Sequence, residues 1–158
     1  MFCPGYSAGM DIRGVMTESV VTVPPDGSVR EVATLMRERN VGSVVLIDAD
    51  HRPVGMLTDR DLAITVVADG RDLDEAASVL ASSPVISATV DMNVEDVAAL
   101  MVRHGVRRLT VLENDRLAGI ITLDDLVVRT GDRELAYNMT SQITRASLPD
   151  FYFHDRGG

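Results

Sequence analysis

Gly55-Met56-Leu57-Thr58-Asp59-Arg60-Asp61-Leu62 returns 64 positions later as Gly119-Ile120-Ile121-Thr122-Leu123-Asp124-Asp125-Leu126. Each stretch reads as an apolar strand that stops at a threonine and turns into a helix. The threonine takes the N-cap position, and an aspartate follows at the third helical position. Upstream, Val29, Val32, Ala33, Leu35, Met36 and Val41 recur at a spacing of 65 as Val94, Val97, Ala98, Leu100, Met101 and Val106. Further back, Thr22-Val23 and Asp26 correspond to Ser87-Ala88 and Asp91. The change of spacing puts one extra residue in the first copy, within Asp48-Ala49-Asp50-His51-Arg52. A surface hairpin turn tolerates such a change. Self-similarity at a fixed offset is the signature of a duplicated structural unit.

Both copies predict the same order of elements. A β-rich stretch comes first, at Val20 to Val23 and at Val85 to Thr89. A helix with apolar residues at i, i+3, i+4 and i+7 follows from Val29 and from Val94. Ser28 with Glu31, and Asn93 with Asp96, mark the helix starts, and Gly105 ends the second helix. Two apolar strands then flank a polar turn: Val44 to Ile47 with Val54 to Leu57, and Leu109 to Leu112 with Leu117 to Ile121. The last helix of each copy begins at Thr58 or Thr122 and ends near Gly70 or Gly131. The unit is β-α-β-β-α. About 50 residues cannot bury enough surface alone, so the copies are expected to pack face to face about a pseudo-two-fold axis and share an aliphatic core. The expected class is α/β (α+β), in one compact module. Its parts are a tail at 1–9, repeat one at 10–70, repeat two with its linker at 71–131, and a C-terminal helix and tail at 132–158. The linker predicts a short helix over Leu73 to Leu80, matched by the lead-in Met10 to Met16. Leu135, Met139 and Ile143 form one stripe of a C-terminal packing helix.

The composition narrows the function. The chain has 158 residues, 25% charged and 4% aromatic, with a net charge of −9. All its basic residues are arginine, and every aromatic lies before Ser7 or after Ala136. An acidic body without rings suits neither duplex phosphates nor base stacking, and phosphate-loop chemistry needs a lysine. Nucleic acid is therefore not expected as a partner. No apolar run approaches the roughly 18 residues of a membrane span. The first residues show no secretion signal, and a single Cys3 fits a reducing compartment, so a cytoplasmic location is expected. The three histidines and Cys3 lack metal-ligand spacing. His51 reads as a turn residue and His104 as a helix end. No nucleophile-base pair is legible, because the close acids Asp59/Asp61 and Asp124/Asp125 do not form a dyad on a helix. Catalysis is not expected.

Two in-register Gly-apolar-apolar-Thr-x-x-Asp motifs, with Val106-Arg107-Arg108-Leu109 entering a strand of the second copy, resemble a pair of CBS domains, or Bateman module. The resemblance spans roughly Asp11 to Arg129. Stand-alone pairs of this kind are common in bacteria and archaea, and the lysine-free composition points to a GC-rich genome. The resemblance implies a homodimer that regulates a partner protein. It also implies clefts between the copies for an adenosine-containing ligand: AMP, ADP, ATP, S-adenosylmethionine or NAD(H). No cofactor is required. The alternative is a dimeric interaction module whose clefts stay unused.

On this resemblance, Gly55 and Gly119 let backbone approach a ligand. Thr58 and Thr122 offer helix starts to a phosphate. Asp61 and Asp125 accept from a ribose diol, and Arg107 and Arg108 supply positive charge. Thr22, Val41 and Gly42, with Ser87 and Val106, match positions that line adenine pockets in the family. Helix capping alone would also account for both Thr–Asp pairs; the glycines favour a site. Where the second copy has Arg107-Arg108, the first has Gly42-Ser43, so the clefts are expected to be unequal in charge.

Overall fold

The computed structural model describes residues 10–131 and 133–148. Cys3 and the aromatics Phe2, Tyr6, Phe151, Tyr152 and Phe153 lie outside the described residues, as does the side chain of Leu135. The first copy comprises β1 (Thr22–Val23), α1 (Val29–Arg39), β2 (Ser43–Ile47), β3 (Pro53–Thr58) and α2 (Asp59–Leu62). After the connecting α3 (Ala77–Leu80), the second copy repeats the order as β4 (Ser87–Thr89), α4 (Val94–His104), β5 (Arg108–Glu113), β6 (Arg116–Thr122) and α5 (Leu123–Arg129). The helix α6 (Arg133–Ser147) closes the described chain. Each copy has its own three-stranded sheet, ordered β1-β2-β3 and β4-β5-β6. The first pair in each is parallel and the second antiparallel. The fold is mixed α+β.

Local chemistry fixes these elements. Ser28 Oγ accepts from the Glu31 amide at 3.1 Å, and Asn93 Oδ1 from the Asp96 amide at 2.8 Å, so α1 and α4 both start on a side-chain cap. Both helices stop on a left-handed residue, Asn40 at φ 53° and Gly105 at φ 62°. The β5–β6 hairpin turns on Asn114 and Asp115, both at positive φ, the pattern of a tight two-residue turn. The first copy needs its extra residue to turn differently. There Asp48 Oδ1 accepts from the amides of Asp50 and Arg52, both at 2.9 Å, and His51 takes φ 64°.

The structure departs from the sequence-based expectation in three places. The linker helix shrinks to Ala77–Leu80, because the carbonyls of Leu73 and Glu75 accept from Arg30 and Val29 at the start of α1. Backbone committed to another segment cannot also carry a helical ladder. The last helix of the first copy has only four α-helical residues and widens into a π-helical turn over Ala63–Ala68, none of them buried. Finally, the buried side chains form two clusters and not one shared core. One, around Val32, Met36, Val44, Leu46 and Leu57, belongs to the first copy. The larger, around Val97, Met101, Leu109, Ile121 and Leu126, takes in Met139 and Ile143 of α6.

The copies are joined by an exchange of the segments that lead into them. Ile12, Val15 and Met16, from the lead-in to the first copy, are buried in the core of the second. Thr17 exchanges backbone hydrogen bonds with Ile120 of β6 at 2.8 and 2.9 Å. Reciprocally, Ala77 is buried in the first core, and Ser82 pairs with Met56 of β3 at 2.9 and 3.2 Å. The two motif glycines sit at these crossings. A Cβ on Gly55 would stand 2.9 Å from Ala81 Cβ, and one on Gly119 2.9 Å from the Thr17 carbonyl oxygen and 3.0 Å from Met16 Sδ. Gly119→Ala is therefore expected to lower stability by about 1–3 kcal/mol, since a backbone oxygen cannot yield without loss of the Thr17–Ile120 pairing. Urea unfolding measures this. An unchanged midpoint would show that the crossing is loose.

Candidate functional site

Two clefts open where the copies meet. The first, of about 460 Å³, is walled on one side by Met56 and by Thr58 to Asp61, at the β3–α2 junction. Its other side is Val85, Ile86 and Gly105 to Arg108 of the second copy, and Ser147 of α6 stands at its edge. The second cleft, of about 500 Å³, is the pseudo-symmetric counterpart. Ile120 and Thr122 to Asp125 of the second copy face Val20, Val21 and Val41 to Ser43 of the first, with Thr17 and Ser19. Each cleft thus combines the strand-to-helix junction of one copy with the helix-to-strand loop of the other. Volumes of this size fall in the range of small-ligand pockets.

The sequence-predicted residues divide accordingly. Thr58, Asp61 and Val106 line the first cleft; Val41, Gly42, Thr122 and Asp125 line the second. Arg107 and Arg108 line both. Thr22, Gly55, Ser87 and Gly119 line neither. Thr22 is paired with Val45 in the sheet, and the Ser87 hydroxyl shares a 2.6 Å hydrogen bond with that of Thr110. Gly55 and Gly119 are accounted for by the crossing segments, so packing alone is enough to explain their spacing.

Capping and site coexist in the two Thr–Asp pairs. Asp61 Oδ2 accepts from the Thr58 amide at 2.9 Å and its hydroxyl at 2.7 Å, while Thr58 Oγ1 accepts from the Asp61 amide at 3.2 Å. The Thr122–Asp125 box has the same three distances. These boxes already place a carboxylate against the helix start, and α2 and α5 have four and seven residues. The expectation that their dipoles would attract a phosphate is therefore not supported. The free carboxylate oxygens differ. Among the described residues Asp61 Oδ1 has no partner, whereas Asp125 Oδ1 meets the Thr17 hydroxyl and Arg129 Nη2, each at 3.4 Å. Arg129 is in turn held by the carbonyls of Val15 and Met16 at 2.9 and 2.8 Å.

Charge breaks the symmetry further. Arg60 and Asp124 are equivalent positions in the repeated motif, so a cation at the first cleft faces an anion at the second. The first cleft gathers Arg60, Arg107 and Arg108 against Asp59 and Asp61; the second has only the two shared arginines against Asp124 and Asp125. A Cβ on Gly42 would lie 3.3 Å from Asp59 Oδ2 and 3.9 Å from Arg108 Nη1, so the Arg108 guanidinium reaches the first copy's loop. None of Arg60, Arg107 and Arg108 forms a salt bridge among the described residues. Sequence reasoning missed Arg60 and Asp124, although their alignment at a spacing of 64 held the signal. Among the described residues no group of three or more His, Cys, Asp or Glu is placed to hold a metal ion.

This is a paired-repeat α+β module with a cleft at each junction between copies. The chain belongs to the CBS-domain family: the model for the CBS domain matches residues 11–68 and again 72–130. It is 34% identical over 137 residues to the CBS domain-containing protein YhcV of Bacillus subtilis, covering 87% of this chain and 97% of that one. A solved structure of CBS domain protein PAE2072 from Pyrobaculum aerophilum complexed with AMP superposes with a TM-score of 0.71 at 29% identity, covering 84% of this chain and 99% of that one. Hypoxic Response Protein I with two coordinated zinc ions superposes at 0.68 with 31% identity, covering 74% and 96%.

The unequal anchoring of the aspartates has a measurable consequence. Asp125→Asn, which weakens the contact to Arg129 as well as the capping box, is expected to cost about 0.5–1 kcal/mol more than Asp61→Asn. Paired thermal unfolding curves check this, and equal losses would contradict it.

Proposed function

We propose that this protein is a regulatory sensor that binds an adenosine-containing nucleotide in the clefts between its two CBS domains, and above all in the first. The carrying observation is that cleft's combination of groups. Met56, Val85, Ile86 and Val106 give an apolar wall for a purine, and Asp61 Oδ1 is free to accept from a ribose diol. Arg60, Arg107 and Arg108 supply charge-assisted donors for phosphate oxygens. The AMP complex of PAE2072 supports the choice of ligand class. The proposal includes no catalytic step, no required cofactor and no metal, and a cytoplasmic site of action. No helix among the described residues is long and apolar enough to cross a membrane.

A ligand of the size of AMP, at about −0.3 kcal/mol per heavy atom, is expected to bind at about −7 kcal/mol, near 10 µM. Isothermal calorimetry with AMP, ATP, S-adenosylmethionine and NADH tests the reading. Asp61→Ala is expected to weaken binding about ten- to a hundred-fold through loss of the ribose hydrogen bond. Absence of heat with every adenosine ligand would overturn the sensor reading and leave an interaction module. Unchanged affinity in the variant would remove Asp61 from the site.

The interaction reading rests on a separate feature, exposed apolar side chains at equivalent places on the last helix of each copy. Ile64 in the first, at 45% exposure, is matched at the spacing of 64 by Val128 at 77% in the second, and Val67 at 82% extends the face in the first. We read these faces as the contact of a homodimer, the form in which a partner protein would meet it. Sedimentation is expected to show a dimer, and the double variant Val67→Asp, Val128→Asp a monomer. A monomeric wild-type protein at micromolar concentration would refute this assignment.

A further inference from the structure

Arg107 and Arg108 are the only cations lining the second cleft among the described residues, and they line the first as well. The first cleft adds a cation of its own, Arg60; at the equivalent position the second has Asp124. We propose that the two clefts sort ligands by charge: the first holds a phosphorylated adenosine nucleotide, and the second an adenosine compound without a phosphate.

This inference rests on the reading of the clefts as adenosine sites and adds their division of labour. A bound phosphate draws guanidinium donors into charge-assisted hydrogen bonds, with directional demands that a second anion cannot share. Once the pair is engaged at the first cleft, the second retains Asp124 and Asp125, with Arg129 already tied to Asp125 and to the backbone of Val15 and Met16. A second phosphate would meet Asp124, which has no basic partner among the described residues, in a chain of net charge −9. An uncharged nucleoside meets no such barrier. The second cleft offers it the hydroxyls of Ser19 and Ser43, with Val20, Val21 and Ile120 as apolar walls. The coupling is reciprocal, as any linkage between binding sites must be.

Calorimetry on the full chain tests this with AMP and adenosine as the probes. AMP is expected to fill one site per chain, with any second AMP bound at least tenfold more weakly. On AMP-saturated protein, adenosine is expected to fill one further site. Asp124→Arg, at an exposed position, is expected to create a second AMP site within about threefold of the first. Asp124→Asn should strengthen the weak second site in the same direction, and Arg60→Asp should weaken the first at least tenfold. Two equal AMP sites in the wild-type chain would overturn the sorting while leaving the adenosine reading intact. So would an unchanged AMP stoichiometry in a folded Asp124→Arg protein. No heat with either probe would overturn the sorting, and the adenosine reading falls with it if ATP, S-adenosylmethionine and NADH are silent as well.

Discussion

Each half of this molecule is closed by a stretch of chain that leads into the other half. Ile12, Val15 and Met16 fill the second core, Ala77 fills the first, and the crossings are sealed by backbone pairs at Thr17–Ile120 and Ser82–Met56. A β-α-β-β-α unit of this length lacks the area for an independent core, and the exchange supplies the missing apolar side chains without fusing the two cores. It also explains why glycine stands at position 55 and at position 119. The crossing segment lies where a Cβ would be, in one case against a backbone oxygen. Because the cores remain separate, the seam between copies is free to hold polar groups, and both clefts open along it.

The repeat makes the two clefts alike in shape, and single substitutions then make them unlike in chemistry. The capping boxes match to a tenth of an ångström. Around them Gly42-Ser43 faces Arg107-Arg108, Arg60 faces Asp124, and Thr65, whose hydroxyl bonds the Asp61 carbonyl, stands where the second copy has Arg129. Arginine reaches further than glycine or serine, so a substitution made in one copy alters both clefts. That asymmetry of reach is why the guanidinium pair is shared while its small counterparts, Gly42 and Ser43, line one cleft only.

Much of the fold was legible because it is written twice. The apolar period from Val29 and Val94, the caps at Ser28 and Asn93 and the Thr–Asp boxes are local signals, and they placed the helices and strands. What failed was non-local. Leu73 to Leu80 has a helical pattern, but its carbonyls are taken by α1, a fact no window of sequence contains. Gly55 and Gly119 were visible as unusual, yet a glycine near a ligand and a glycine beneath a crossing chain read alike in sequence. Whether Arg107 and Arg108 face one cleft or two depends on a seam between copies, which only three-dimensional placement reveals.

The two halves also differ in how firmly they are held. In the second, α6 lays Met139 and Ile143 against the core, and α5 buries Leu123 and Leu126. In the first, α2 buries no residue, and the π-helical turn after it exposes Ile64 and Val67. Segments with few buried apolar contacts open at lower free energy than the rest of a domain. The wall bearing Thr58, Arg60 and Asp61 thus has the fewer buried side chains, and it carries the free carboxylate oxygen and the unshared cation. A ligand gripped there would add contacts to that element, which continues directly into the exposed apolar face at Ile64 and Val67. On the proposed reading, occupancy of the first cleft reaches the dimer contact through one continuous stretch of chain, Thr58 to Ala68, with no need for a rearrangement of either core.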